Sequence, residues 1–317
     1  MIDPRLQTLR VLYEKGTVTA AAQALHLTPS TVSQQLRLLS RELDLALLEP
    51  HGRRVRLTPA AHALLGHADE LYAAWERARA DLAAHHEGIA GGLKYCGVSS
   101  AIAGLVAPAA ARLRDDWPQI TVTISEEESE DCSSLLLAGQ ADIAVLIPTS
   151  GGPPPSDPRF GQQPLLDEPQ DLLVPAAHPL AQRRGAELAE AADEAWIAAP
   201  GRPDQYQLLQ VACAAAGFTP RVTQQAKEWF AVSALVAAGF GVCLIPRLVP
   251  LPPDHAVVRV PLRGDNIPSR RIITCTRRGS DRQPAIARGL DALRRAAVEH
   301  TARAGRVRID SVSGSES

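Results

Sequence analysis

Ser30, Ser33, Gln34, Arg37 and Arg41 advance along the chain by three, one, three and four residues, which places them on one side of an α-helix. Their hydroxyl, amide and guanidinium groups are those that read base edges and phosphates. Val32, Leu36, Leu39 and Leu43 step by four, three and four and form the opposite, apolar side. A helix that buries one side and offers solvent such a hydrogen-bonding stripe suits the DNA major groove. An ordinary bundle helix would show Glu and Lys there instead. Thr28 caps the helix and Pro29 takes its first position, so Thr28, Pro29 and Thr31 join the candidate DNA-reading residues.

Further elements must hold this helix in place. Asp3-Pro4 opens a first helix with Leu6, Leu9, Leu12 and Tyr13 on its inner face, and Gly16 ends it. Thr17 or Thr19 caps a second helix, whose Ala20–Ala22 run is small enough for close packing, and His26-Leu27 forms the turn. After Leu43, two short alternating runs flank Pro50-His51-Gly52 and predict a hairpin carrying Arg53, Arg54 and Arg56. A hairpin with arginines at its tip directly after a helix-turn-helix is a wing, placed to reach phosphates or a narrow minor groove. For Arg53 and Arg54 alone, a solvated turn is an equal alternative. Residues 1–60 carry eight basic residues against five acidic ones, although the whole chain has a net charge of −2.

Thr58-Pro59 starts a long helix running to about residue 87, about 44 Å at 1.5 Å per residue. Leu64, Ala68, Leu71, Trp75, Ala78 and Leu82 alternate by four and three, a heptad seam. A helix between two domains has little of its own chain to cover such a seam, so pairing with a second copy is expected, with Trp75 as anchor. His85 and His86 fall in the last turn and complement the helix dipole. Residues 88–92 form a glycine-rich joint.

Beyond it, strands at 93–98, 120–124 and 141–147 alternate with helices at 99–114 and 129–138, the pattern of a doubly wound α/β fold. The continuous apolar run at 141–147 reads as a buried parallel strand. Proline-rich 148–158 reads as a surface loop. A second lobe follows, with strands at 172–174, 195–198, 222–223 and 242–245 and helices at 205–216 and 228–238. A strand within 266–276 and a closing helix at 283–302 return to the first lobe, and 303–317 reads as a disordered tail. The expected division is 1–58 for a winged helix-turn-helix, 59–87 for the linker helix and 92–302 for an α/β domain of two lobes. Its lobe I is 92–162 with 264–302, and lobe II is 163–263.

Ligands of open α/β sheets sit beyond the carboxyl ends of the strands. That rule selects Ser99, Ser100, Ala101, Glu128, Ser129, Pro148, Ala199, Pro200, Gly201 and Arg202, with Trp229 and Phe230 at the head of the 228–238 helix. For Ser129 a plain helix cap is favoured. Arg202 either clamps a carboxylate or is a solvated loop charge, the latter being preferred. Trp229 and Phe230 could be core, but two aromatics together in a chain with 4% aromatics favour an apolar pocket wall. Glu126, Glu127 and Glu128 read mainly as solvated.

These motifs together resemble the LysR-type transcriptional regulators. The resemblance lies in Ala21–Leu25, Thr28–Leu36, Leu47–Pro50 and Arg53–Thr58, and more loosely in Leu135–Ala144, His178–Ala181 and Leu235–Pro246. Leu48 stands where relatives have an aromatic, Pro50 where they have arginine, and Gln34 where arginine is frequent. Gln pairs most readily with adenine and Arg with guanine, so base preference should differ. The resemblance implies a two-lobed, periplasmic-binding-protein-like effector domain and a homodimer or dimer of dimers. It further implies inverted-repeat half-sites on duplex DNA, a small-molecule effector, and RNA polymerase as a further partner.

No hydrolase, metalloprotease, phosphate-loop or dinucleotide signature is present. No enzyme activity, cofactor or metal is therefore expected. Cys96, Cys132, Cys213, Cys243 and Cys275 are dispersed without a CxxC pair and read as buried thiols, ahead of a redox pair joining Cys213 to Cys132 or Cys243. The start lacks an apolar signal-peptide core and no run reaches membrane-span length, so a cytoplasmic protein is expected. The alternative from another class is a cytoplasmic solute-binding or enzyme module whose N-terminal bundle contacts another protein.

Overall fold

The computed structural model describes residues 2–51, 54–83 and 91–313. Helices α1 (Pro4–Lys15), α2 (Val18–Ala24) and α3 (Pro29–Glu42) begin where side-chain caps replace missing backbone partners. Asp3 accepts from the Arg5 N–H, Thr17 from Ala20 and Thr28 from Thr31. Gly16 leaves α1 at φ 69°, and His26 takes φ 53° in the turn before α3. Leu9, Leu12, Ala21, Ala22, Val32 and Leu36 close the core. Leu43 and Tyr13, expected inside, are instead 40% and 47% exposed. Leu43 is the C-cap of α3, one residue past the last packed turn.

Strands β1 (Leu48–His51) and β2 (Arg54–Leu57) form the expected hairpin, in antiparallel register from Leu48↔Leu57 to His51↔Arg54, but Pro50 and His51, expected in the turn, are paired residues of β1. Arg53 lies outside the described residues. Helix α4 (Pro59–Ala83) follows directly. The expected continuation to residue 87, His85, His86 and the first part of the glycine joint fall outside the described residues, while Gly91 and Gly92 already belong to β3 (Gly91–Gly97).

Lobe I is built on β3, β4 (Ile120–Glu126) and β5 (Ile143–Leu146), with β3 central and parallel to both. Antiparallel to β5 runs β11 (Ser269–Arg277), and antiparallel to β11 runs β6 (Phe160–Pro175). α5 (Ser99–Ala101), a π segment over Ile102–Val106, and α6 (Ala107–Asp116) make one continuous rod. Pro108 lacks an N–H and crowds the carbonyl four residues back, which accounts for the widened turns before it. This rod and α10 (Pro284–Ser313) cover one face of the sheet, and α7 (Ser129–Ala138) covers the other.

The 16-residue β6 is what joins the lobes. Its first half pairs with β11, and its second half pairs with β9 (Cys243–Pro246) and β10 (Val257–Pro261). β7 (Ala195–Ala198) and β8 (Arg221–Gln225) pair in parallel, and a bridge from Trp196 to Val242 attaches them beside β9. α8 (Pro203–Ala215) and α9 (Trp229–Ala237) pack on lobe II.

Two strand assignments need correction. Residues 160–171 and 257–261 form strands that the local pattern does not announce. Pro164 and Pro169 argue against a central strand. The structure accommodates Pro164 at a register shift, where Ile272 faces Leu166 but Ile273 faces Pro164. The expected lobe boundary at 162/163 therefore cuts through a single strand. The tail is also corrected: α10 continues to Ser313 rather than stopping at 302. No helix among the described residues is long and apolar enough to cross a membrane.

Candidate functional site

On α3, Val32, Leu36 and Leu39 are buried, while Thr28, Pro29, Ser30, Gln34, Arg37 and Arg41 are exposed and Thr31 and Ser33 are half-buried. The two stripes are thus segregated on the folded helix. Arg37 is drawn back along the helix by a hydrogen bond from Nε to the Ser33 carbonyl, 3.2 Å. In the wing, the Arg56 guanidinium is paired with Glu49, Nε to Oε1 being 2.8 Å, so part of the expected positive charge is neutralised.

Helix α4 has two working faces, which corrects the expectation that it finds little of its own chain to pack on. Ala68 is fully buried in the N-terminal core and is not available to a seam between copies. Further along, Glu76 is buried and accepts from Arg277 Nε at 2.7 Å, and Arg277 also reaches Asp142 at 2.9 Å. This buried ion pair fastens α4 to lobe I. Leu71, Trp75 and Leu82 remain exposed at 53%, 41% and 61%, on the other side. Leu64 and Ala78 are half-buried.

The N-terminal module also docks directly on lobe I. Glu14 of α1 accepts from Arg159 at 2.8 Å and from Ser133 of α7 at 2.7 Å. Lys15 pairs with Asp131 at 2.9 Å, and the Gln7 amide donates to the Leu137 carbonyl at 3.2 Å. Burial alone would raise the Asp157 carboxyl, but hydrogen bonds from the Arg159 side chain and N–H outweigh it and hold Asp157 below the ordinary carboxylate range. These contacts use α1 and leave the polar face of α3 free.

At the cleft, two guanidiniums donate to adjacent serines of lobe I, Arg202 reaching across from lobe II and Arg270 from β11 of lobe I itself. Arg202, expected as a solvated charge, is only 6% exposed. Its Nη2 donates to Ser99 Oγ at 3.2 Å and its Nε to the Lys227 carbonyl at 2.9 Å, and the group lies 5.6 Å from the Trp229 ring. Arg270 Nη2 donates to Ser100 Oγ at 2.6 Å, and its Nε donates to the fully buried Glu168 at 2.7 Å. A cavity of about 420 Å³ opens in front of Ser99, Ser100, Trp229 and Phe230, closed by the apolar segment 249–252. A larger cavity of about 670 Å³ lies behind Arg270, beside Pro148 and Asp204, with a more polar lining. The Arg270–Ser100 hydrogen bond stands between the two.

The cleft therefore gathers Ser99, Ser100, Arg202, Trp229 and Phe230 as expected. Ala101 does not belong there, being buried in the core of lobe I. Ser129 accepts from the Ile147 N–H at 3.1 Å and is structural. Ala199 is buried beside a minor pocket, and Pro200 and Gly201 are exposed on the loop before Arg202. Glu128 pairs across the cleft with Lys227 at 2.9 Å. Pro148 lines only the larger cavity. Arg270 and Glu168 escape the sequence reading. For Arg270 a signal exists: alternation along β11 puts it on the inward side with Ile272, where a charge requires a partner. Glu168 lies in a stretch whose prolines hide the strand.

All five cysteines are free and buried. Burial pushes the Cys213, Cys243 and Cys275 thiols up to about 12. Among the described residues, no group of three or more His, Cys, Asp or Glu side chains is placed to hold a metal.

Residues 4–62 match the model of the bacterial regulatory helix-turn-helix protein, lysR family, and residues 86–298 match that of the LysR substrate binding domain. The chain is 30% identical over 244 residues to the HTH-type transcriptional regulator TtuA of Agrobacterium vitis, covering 76% of this chain and 79% of that one. A full-length OxyR variant from Pseudomonas aeruginosa superposes with a TM-score of 0.64 at 21% identity, covering 92% and 96% of the two chains. CbnR, solved full-length with its target DNA, gives a TM-score of 0.55 at 23% identity over 94% of this chain and all of that one.

Proposed function

This chain belongs to the LysR family of transcriptional regulators, and from that premise we propose where each part of the family's work is done. It is a DNA-binding regulator that responds to a small-molecule effector and works as an oligomer; it is not an enzyme. The rival reading as a solute-binding or enzyme module falls with the same matches.

Helix α3 enters the major groove and reads bases through Ser30, Ser33, Gln34 and Arg37, with Thr28, Pro29, Thr31 and Arg41 toward the backbone and Arg53 and Arg54 of the wing beside it. The observation that carries this is the segregation on α3: Val32, Leu36 and Leu39 inside, Gln34 and Arg37 outside. Leu71, Trp75 and Leu82 pair two copies, which sets the spacing of two half-sites. The cleft at Ser99, Ser100, Arg202, Trp229 and Phe230 takes the effector, whose binding shifts the populations of lobe arrangements. Working on DNA, the protein acts in the cytoplasm. A footprinting titration of the Gln34→Ala/Arg37→Ala variant tests the base readout. Loss of the footprint with weak non-specific binding retained is expected, and a footprint unchanged from the parent overturns the assignment.

A further inference from the structure

We propose that the N-terminal module, α4 and lobe I move as one rigid body, and that lobe II is the part of the chain that changes position when the cleft is occupied. The first half holds whatever the cleft binds, and the second rests on the cleft as the effector site. Connectivity alone would leave the module free to turn on lobe I, since a single chain segment joins the two. Contacts across the junction remove that freedom.

Two anchorages are involved. At the first, α1 and α2 meet lobe I. Glu14 is held by Arg159 and Ser133, Lys15 by Asp131, and the Gln7 amide by the Leu137 carbonyl. The Gln140 amide donates to the Ala24 carbonyl, and Ala138 of α7 packs against the module's own core. At the second, Glu76 of α4 accepts from Arg277 at 2.7 Å and from Gln283, and only 7% and 10% of the Glu76 and Arg277 side chains are exposed. Beside it Gly279, at φ 84°, approaches α4 so closely that a Cβ there would stand 2.8 Å from the Ala73 carbonyl oxygen. Ala68, buried in the module core, and Glu76 are about 12 Å apart along the helix at 1.5 Å per residue. A single small contact acts as a pivot, but an extended patch and a second buried tie further along the same helix block rotation. The cavity of about 340 Å³ at this junction is walled by ion pairs, Arg10 with Asp69 at 2.6 Å and Arg159 with Asp157 at 2.7 Å.

Lobe II meets this body differently. The chain passes between the lobes along β6 and again between β10 and β11. At the β6 crossing the Leu248 N–H donates to Glu168 at 2.7 Å, and the Leu248 side chain seats against Gly104 of lobe I, where a Cβ would overlap it. This contact is the pivot. Away from it, cavities of about 420 and 670 Å³ lie between the lobes. Among the described residues, the side-chain ties across that gap are Arg202 to Ser99 at 3.2 Å, Arg270 to Asp204 at 3.9 Å, and Lys227 to Glu128, whose side chains are 49% and 48% exposed. An exposed pair exchanges for water at little cost, whereas opening the Glu76–Arg277 pair strands a buried charge. Hinge motion therefore runs at the cleft and not at the module. Two copies paired through α4 keep their reading helices at a fixed spacing, and cleft occupancy is expressed in where lobe II stands.

Electron–electron distance measurements on doubly spin-labelled full-length protein, diluted with excess unlabelled chains, test this. Labels go on cysteines introduced at the exposed positions Gln23 of α2, Ala111 of α6, Glu130 of α7 and Ala214 of α8, the native cysteines being buried. The Gln23/Ala111 pair reports the module against lobe I, Ala111/Ala214 reports lobe II against lobe I, and Ala111/Glu130, within lobe I, is the standard for a rigid pair. Gln23/Ala111 should give a single peak as narrow as the standard. Arg202→Ala, which cuts the tie to Ser99, should shift or broaden the Ala111/Ala214 peak and leave Gln23/Ala111 in place. Glu14→Gln/Lys15→Gln at one anchorage, and Glu76→Gln at the other, should each broaden Gln23/Ala111 toward longer distances. The thermal midpoint of each variant checks that it folds. A broad or doubled Gln23/Ala111 distribution in the parent overturns the rigid body and leaves the cleft reading untouched. A peak that stays narrow in both anchorage variants overturns the named contacts as its cause, and an Ala111/Ala214 peak unmoved by Arg202→Ala overturns lobe II as the moving part.

Discussion

At the scale of single residues, burial and partner supply decide which groups are free to act. Gln34 and Arg37 face solvent because Val32 and Leu36, on the same helix, are fully buried. Gln34→Arg should move the favoured base from adenine toward guanine at one operator position, a discrimination of about 1–3 kcal/mol measurable on variant operators. Leu36 shows the opposite case. Its truncation to alanine should cost about 2–5 kcal/mol in urea denaturation, because the surrounding core cannot collapse onto the gap. The cysteines are inert for a related reason. With Cys213, Cys243 and Cys275 pushed up to about 12 by burial, almost no thiolate exists near neutrality. Native protein at pH 8 should take up essentially no iodoacetamide by mass spectrometry, whereas denatured protein labels at all five sites; rapid native labelling would refute the burial argument.

At the scale of elements, α4 divides its surface between two tasks. One face carries Glu76 into a buried pair with Arg277, and the other presents Leu71, Trp75 and Leu82. Glu76→Ala leaves Arg277 without one of its two carboxylate partners, and should destabilise the chain by about 3–5 kcal/mol in a denaturant titration. Trp75→Glu touches none of those contacts. It should leave the thermal midpoint of the monomer fold almost unchanged while lowering the sedimentation mass from oligomer to single chain. Loss of folding in that variant would show that the exposed face had been misassigned.

At the scale of the whole molecule, the N-terminal module is tied to lobe I through α1 and α7. Asp157, Arg159 and Glu14 form the centre of that contact. Asp157 has a folded-state pKa below its ordinary value. Its contribution is therefore fully present above the unfolded value of about 3.9 and is lost as pH falls through the lower folded value. Hydrogen exchange across α1 and α7 should be the same at pH 7 and pH 5, once corrected for the intrinsic pH dependence of exchange, and should accelerate only on acidification below about pH 4. α7 also begins beside Glu128, which pairs with Lys227 of lobe II. The same helix thus touches both the interlobe cleft and the N-terminal module.

Sequence by itself determined the elements whose signals are local: the caps at Asp3, Thr17 and Thr28, the two stripes of α3, the hairpin, and the parallel strands at β3 to β5. Each depends on neighbours within a few residues. Only tertiary structure decided that 160–175 is one strand shared by both lobes, because Pro164 is tolerated only where β11 shifts register. It alone brought Arg270 to Ser100 across 170 residues and Arg202 to Ser99 across 103. It also showed Ala101 turned into the core and Ala68 covered by its own module. Local periodicity states which face of a helix is apolar, but whether that face meets its own chain, a second copy or a ligand depends on contacts between residues far apart in sequence.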